Sequence, residues 1–160
     1  KRQAFNIATG NWLFKTEAAY FDGIRFFNSG KDFNRIDALV GVEYSGFTDT
    51  TLSFEIADRH ILNFDRQIEE TPDFNEEDRW VSALRLTRTY LNETLTLTML
   101  AQTWGLSGDD GALQRFTAEY DLTDAIELTG GVVFYKSGDL PRFRDVGEND
   151  RLYLEIKYNF

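Results

Sequence analysis

Apolar and polar side chains alternate with a period of two along most of this chain, the spacing that sends successive residues to opposite faces of a β-strand. In WLFKTEAAYF, Trp12, Phe14, Thr16, Ala18 and Tyr20 share one face, and Lys15 and Glu17 share the other. RIDALVGVEYS sets Ile36, Ala38, Val40, Val42 and Tyr44 against Asp37, Gly41, Glu43 and Ser45. TLSFEIADR sets Leu52, Phe54 and Ile56 against Ser53, Glu55 and Arg59, and RWVSALRLTRTYL sets Trp80, Leu84, Leu86 and Tyr90 against Arg85, Thr87 and Thr89. TLTLTMLAQTW, QRFTAEYDL and IELTGGVVFY continue the rule, with Tyr120 and Phe134 on the apolar side and Arg115, Glu119, Asp121 and Glu127 on the polar side. The closing RLYLEIKYNF sets Leu152, Leu154, Ile156, Tyr158 and Phe160 against Arg151, Tyr153, Glu155 and Lys157. A shorter segment, RQAFNIA, precedes Trp12, and no segment repeats at the helical period. The pattern predicts an all-β chain of eight long strands and one short N-terminal strand, with Pro72 and Pro141 outside the strands, where no ladder hydrogen bond is lost.

The connections alternate as well. Tight ones fall at 9–11, 47–50, 91–93 and 123–125, and long polar ones at 22–34, 65–78, 105–112 and 138–150. Strand, short turn, strand, long loop describes an up-and-down meander whose two ends differ. Transmembrane barrels of bacterial outer membranes have this asymmetry, with short periplasmic turns and long outer loops.

Alternation alone does not say which face meets water, because a soluble lipid-binding barrel also alternates, with its apolar face inward. Three features favour the inverted arrangement. Aromatic residues of the apolar face stand near strand ends (Trp12, Tyr20, Tyr44, Trp80, Tyr90, Tyr120, Phe134, Tyr158 and Phe160), as in the girdles at a lipid–water boundary. Strands of about ten residues suffice to cross hydrocarbon when tilted. Ala and Gly recur mid-strand on the apolar face, where lipid tails fill gaps that a dry core would leave as voids. The polar face then lines the lumen with Lys15, Glu17, Asp37, Glu43, Glu55, Arg59, Arg85, Arg115, Glu119, Asp121, Glu127, Arg151, Glu155 and Lys157. Both signs are present, which predicts a salt-bridged wall. Arg88 breaks the pattern from beside the 91–93 turn, where interfacial depth lowers its cost.

Composition narrows the chemistry. Aromatic residues make up 15% and charged residues 28% of 160 residues, extremes that coexist when a chain sorts its side chains sharply by face. No cysteine and a single histidine leave no zinc ligand set. A formal charge of -10 argues against a nucleic-acid partner. Low mean hydropathy does not argue against a membrane, since a barrel strand is apolar on one face only.

The last strand resembles those of bacterial outer-membrane proteins, which alternate apolar residues and end on an aromatic, most often Phe. Leu152, Leu154, Ile156, Tyr158 and Phe160 match in register. The resemblance implies recognition of this strand by the barrel-assembly machinery. GNWLFKTEAAYF, DALVGVEYSGFTDTTLSFEIADRHI and LNETLTLT further resemble the C-terminal part of a large proteobacterial outer-membrane family of unassigned function, whose members are much longer. That resemblance implies an envelope transport role, for lipidic or hydrophobic compounds, and no active-site residues.

No catalytic set, cofactor site or metal site is expected. His60 stands beside Asp58 and Arg59 without a nucleophile in view, and SGDDGA and EETPDFNEED are acidic but lack calcium-loop spacing. Residues 1–160 read as one transmembrane β-barrel domain or the C-terminal part of one, in the bacterial outer membrane. The expected function is a non-enzymatic, porin-like channel for small or hydrophobic solutes, with outer-membrane lipids and lipopolysaccharide as its surroundings. The alternatives are a small structural or adhesion-type barrel plugged by residues such as Trp104, Tyr135 and Tyr153, and a soluble lipid-binding barrel. With RQAFNIA as a ninth strand the count is odd, which predicts that further strands belong to the barrel; the alternative is eight strands from Trp12 with an unpaired N-terminal extension.

Overall fold

A computed structural model describes residues 1–70 and 72–159. The strands are β1 (Arg2–Thr9), β2 (Trp12–Arg25), β3 (Asp32–Phe47), β4 (Thr50–Leu62), β5 (Asp78–Tyr90), β6 (Leu95–Trp104), β7 (Gly111–Thr123), β8 (Ile126–Lys136) and β9 (Arg151–Tyr158). They form one antiparallel sheet in sequence order, each strand bonded to its chain neighbours. β1 and β9 are not paired with one another among the described residues, so the sheet has two free edges. β1 pairs with β2 from Arg2↔Ala19 to Thr9↔Trp12, so residues 2–9 are a strand and not an unpaired extension.

All the short turns lie at one end of the sheet and all the long loops at the other. Gly10 (φ +55°) and Asp49 (φ +51°) take left-handed turn conformations in the first two hairpins. In the last hairpin the Thr123 hydroxyl accepts bonds from the amides of Ala125 (3.3 Å) and Ile126 (3.1 Å). The first long loop is shorter than the expected 22–34, because β2 continues to Arg25 and β3 begins at Asp32. A bulge between Phe21 and Ile24 absorbs Asp22 and Gly23, the residues that look like a turn in the sequence.

Residues opposite one another in an antiparallel pair share a face, so the register sorts the side chains. Trp12↔Tyr44, Val42↔Phe54, Phe54↔Leu84, Leu86↔Met99, Met99↔Phe116, Phe116↔Val132 and Val132↔Leu152 run as one apolar band across the sheet. No loop or helix among the described residues packs over that band. Leu84, in a central strand, is 39% exposed, and Leu154, at the β9 edge, is 76% exposed for want of a neighbour.

The buried hydrophobic residues are few and sit elsewhere, in two clusters at the loop end. Ile68, on a one-turn 3-10 helix (Arg66–Glu69), packs on Phe33 and Ile61, with Phe26 and Phe64 around it. Leu140 and Phe143, from the 137–150 loop, pack on Trp104, with Val81, Leu113 and Val146 around them. Ile61, Val81, Trp104 and Leu113 all belong to the polar face, so two of the long loops fold back over it.

Candidate functional site: the charged face

The register brings all fourteen expected lumen residues onto one face. Lys15 and Glu17 lie on β2, Asp37 and Glu43 on β3, Glu55 and Arg59 on β4, and Arg85 on β5. Arg115, Glu119 and Asp121 follow on β7, Glu127 on β8, and Arg151, Glu155 and Lys157 on β9. β6 contributes no charge, only Thr96, Thr98, Leu100, Gln102 and Trp104.

About half of these charges pair across strands. Lys15 stands between Glu43 (3.6 Å) and Glu55 (3.5 Å), over Gly41, whose missing side chain leaves room for Glu55. Asp37 takes Arg35 at 2.7 Å and Arg59 at 3.8 Å, Glu127 takes Lys157 at 3.2 Å, and Glu17 takes Arg2. The Arg115 guanidinium donates to the hydroxyls of Thr117 (3.1 Å) and Tyr153 (3.0 Å), which bond each other at 2.8 Å. That cluster depends on Gly131, where a Cβ would stand 2.5 Å from the Tyr153 hydroxyl. The Arg151 guanidinium lies over the Tyr135 ring at 5.7 Å. Arg85, Glu119, Asp121 and Glu155 make no ion pair or side-chain hydrogen bond among the described residues.

Four cations of this face were not among the expected site residues: Arg2, Arg35, Arg79 and Arg142. Arg35 and Arg79 carried a readable signal, since they share parity with Asp37 and Arg85. Arg142 carried none, because it lies in a loop without periodicity. It reaches the face by stacking on Trp104 (5.0 Å) and Phe143 (5.2 Å). Phe143 in turn lies against Gly111, where a Cβ would meet its ring at 2.5 Å.

On the opposite face the expected aromatics stand in two rows. Trp12, Tyr44, Tyr90, Tyr120 and Tyr158 lie toward the short turns, and Tyr20, Trp80 and Phe134 toward the loops. The rows are eight residues apart on β2 and ten on β5. That is about 26–33 Å of strand, or roughly 20–25 Å of height at a tilt of about 40°, near the ~25 Å of an apolar barrel belt. Phe160 lies outside the described residues. Arg88 keeps to the apolar face and lies over the Tyr90 ring at 4.8 Å, beside the 91–94 turn.

The loop end is acidic. His60 bonds the Asp78 carboxylate at 2.6 Å at the top of β4 and β5, on the apolar side. Burial, followed by repulsion from Asp110, holds the Glu76 carboxyl above its ordinary pKa. Asp110 is raised by burial and then by Asp109. Asp109 is held low by its own backbone amide and by the Ser107 hydroxyl, and Asp65 by the Lys31 ammonium at 2.8 Å. No three His, Asp or Glu side chains among the described residues converge as metal ligands.

No protein-family model matches this chain, and no curated protein matches it.

Proposed function

We propose that this sheet is wall of a transmembrane β-barrel of the bacterial outer membrane, and that the protein is a non-enzymatic channel for small or hydrophobic solutes. One observation carries the reading: the apolar band lies exposed or half-exposed across the sheet while most of the charges gather on the other face. Water gives such a band no stabilisation, since contiguous apolar patches beyond a few hundred Å² are rare on soluble monomers. Lipid covers it at no cost. A soluble lipid-binding barrel needs the reverse arrangement, with the apolar face inside and packed. The aromatic rows and the turn asymmetry support the same orientation, with loops outward toward lipopolysaccharide and turns toward the periplasm, where the assembly machinery meets β9.

Closure requires that the free edges of β1 and β9 be paired, because unpaired backbone groups cannot stand in hydrocarbon. The folded-back 137–150 loop, with Leu140 and Phe143 on Trp104, also supports a second reading, a plugged structural barrel. Conductance separates the two. Purified protein inserted in planar bilayers is expected to give discrete, ohmic openings. Bilayer-inserted protein without conductance selects the plug, and a monomer that stays in water without detergent overturns the membrane reading.

A further inference from the structure

At the loop end of the charged face lies a cavity of about 480 Å³, inside the range of roughly 300–1,000 Å³ typical of small-molecule sites. It is bounded by residues of β1 through β5 and by Arg142 of the 137–150 loop. In a flat sheet β1 and β5 would stand about 19 Å apart, at four steps of ~4.8 Å. One cavity touching both means that the charged face is concave here.

Its charges do not cancel. Glu17 is taken by Arg2, and Asp37 by Arg35 at 2.7 Å. Asp58 points to the opposite face, in register with Ala38 and Trp80. The Arg79 guanidinium donates to the Phe74 carbonyl (2.6 Å) and lies 3.9 Å from Glu76. Two cations remain. Arg59 has only the long 3.8 Å approach to an Asp37 already engaged, and Arg142 makes no hydrogen bond among the described residues. Stacking on Trp104 and Phe143 fixes the Arg142 guanidinium and leaves its N–H edge unspent. Phe21, Leu39, Ala57 and Val81 give the wall an apolar part.

We propose that this cavity binds small carboxylates that carry an apolar body, with Arg59 and Arg142 as the clamp on the carboxylate. A planar guanidinium pairs with a carboxylate through two parallel hydrogen bonds, and a hydrocarbon or aryl body gains by covering the apolar wall. As the selective point of a channel the cavity rests on the function proposed above. As a binding site it does not, because it is formed within the described chain.

The test uses the whole protein in detergent, with benzoate as probe, followed by tryptophan emission and by ligand-observed NMR saturation transfer. Benzoate is expected to bind saturably and at least tenfold more tightly than benzamide, its neutral isostere. Arg59→Gln and Arg142→Gln should each weaken it by about tenfold or more, the scale of one charge-assisted pair. Arg66→Gln, which removes a loop cation that does not line the cavity, should leave it unchanged. Near-UV circular dichroism verifies that each variant is folded. Equal binding of benzamide, inorganic phosphate binding as tightly as benzoate, unchanged affinity in both cavity variants, or no saturable binding would each overturn the proposal. None of these results bears on whether the apolar face meets lipid, and loss of the membrane reading leaves the detergent assay intact.

Discussion

Val40→Arg separates a lipid-facing surface from a water-facing one by energy. Val40 lies mid-strand in β3, in register with Thr16 and Ile56, and is 57% exposed. No side chain covers it, so arginine there neither overpacks a core nor leaves a cavity. Were the face in water, the change would stay within about 0.5 kcal/mol, the usual range for open surface sites. In hydrocarbon a mid-depth arginine costs roughly 2–4 kcal/mol, which lowers the folded-to-unfolded ratio by about 30- to 1,000-fold. The companion change, Glu43→Gln, removes a partly exposed pair with Lys15 at 3.6 Å and is expected to cost about 0–1 kcal/mol. Equilibrium unfolding by guanidinium in phosphatidylcholine vesicles, followed by tryptophan emission, measures both. A Val40→Arg protein within about 0.5 kcal/mol of the parent in vesicles refutes the orientation.

Three further outcomes are expected. Phe143→Ala should release the 137–150 loop from Trp104 and Gly111 at a local cost of about 3 kcal/mol, read as faster hydrogen exchange across that loop and a larger single-channel conductance. Tyr153→Phe should cost about 1–2 kcal/mol, because Thr117, buried, and Arg115 lose their shared hydroxyl; unchanged stability would mean that the cluster is not formed. The third concerns pH: Glu76 and Asp110 bind protons more tightly folded than unfolded, so their contribution is fully present below the ordinary carboxylate pKa and is lost as pH rises through their raised values. Asp65 and Asp109 act oppositely, losing theirs only as pH falls below that range. Loop exchange should therefore slow on acidification from neutral pH toward about 5, and Glu76→Gln with Asp110→Asn should remove most of that dependence.

The sheet was legible in the sequence because a period of two is a direct projection of pleat geometry onto residue order. Lys15, Glu43 and Glu55 could be put on one face without knowing which of them touch; the register supplies the contacts. The loops were less legible. Segment 22–34 reads as one long loop, since Asp22 and Gly23 carry the same signal for a bulge as for a turn. Segments 65–78 and 138–150 read as polar, yet Ile68, Leu140 and Phe143 make half of the buried hydrophobic core among the described residues. Isolated apolar residues in a charged loop were the only signal, and nothing local says which strand they will cover. Arg142 was invisible for that reason, since its position follows from where Phe143 docks.

On the proposed function, alternate residues of one strand face lipid and a polar interior. The chain has no cysteine, so single-cysteine variants along residues 36–44 of β3 can each carry one label without background. In vesicles, a fluorophore at Ile36, Ala38, Val40 or Val42 should be quenched by lipids brominated on their acyl chains and spared by aqueous iodide. One at Asp37, Leu39, Gly41 or Glu43 should show the reverse. Alternation of that phase along the strand is the predicted result; iodide reaching the even positions, or no alternation at all, would contradict the account.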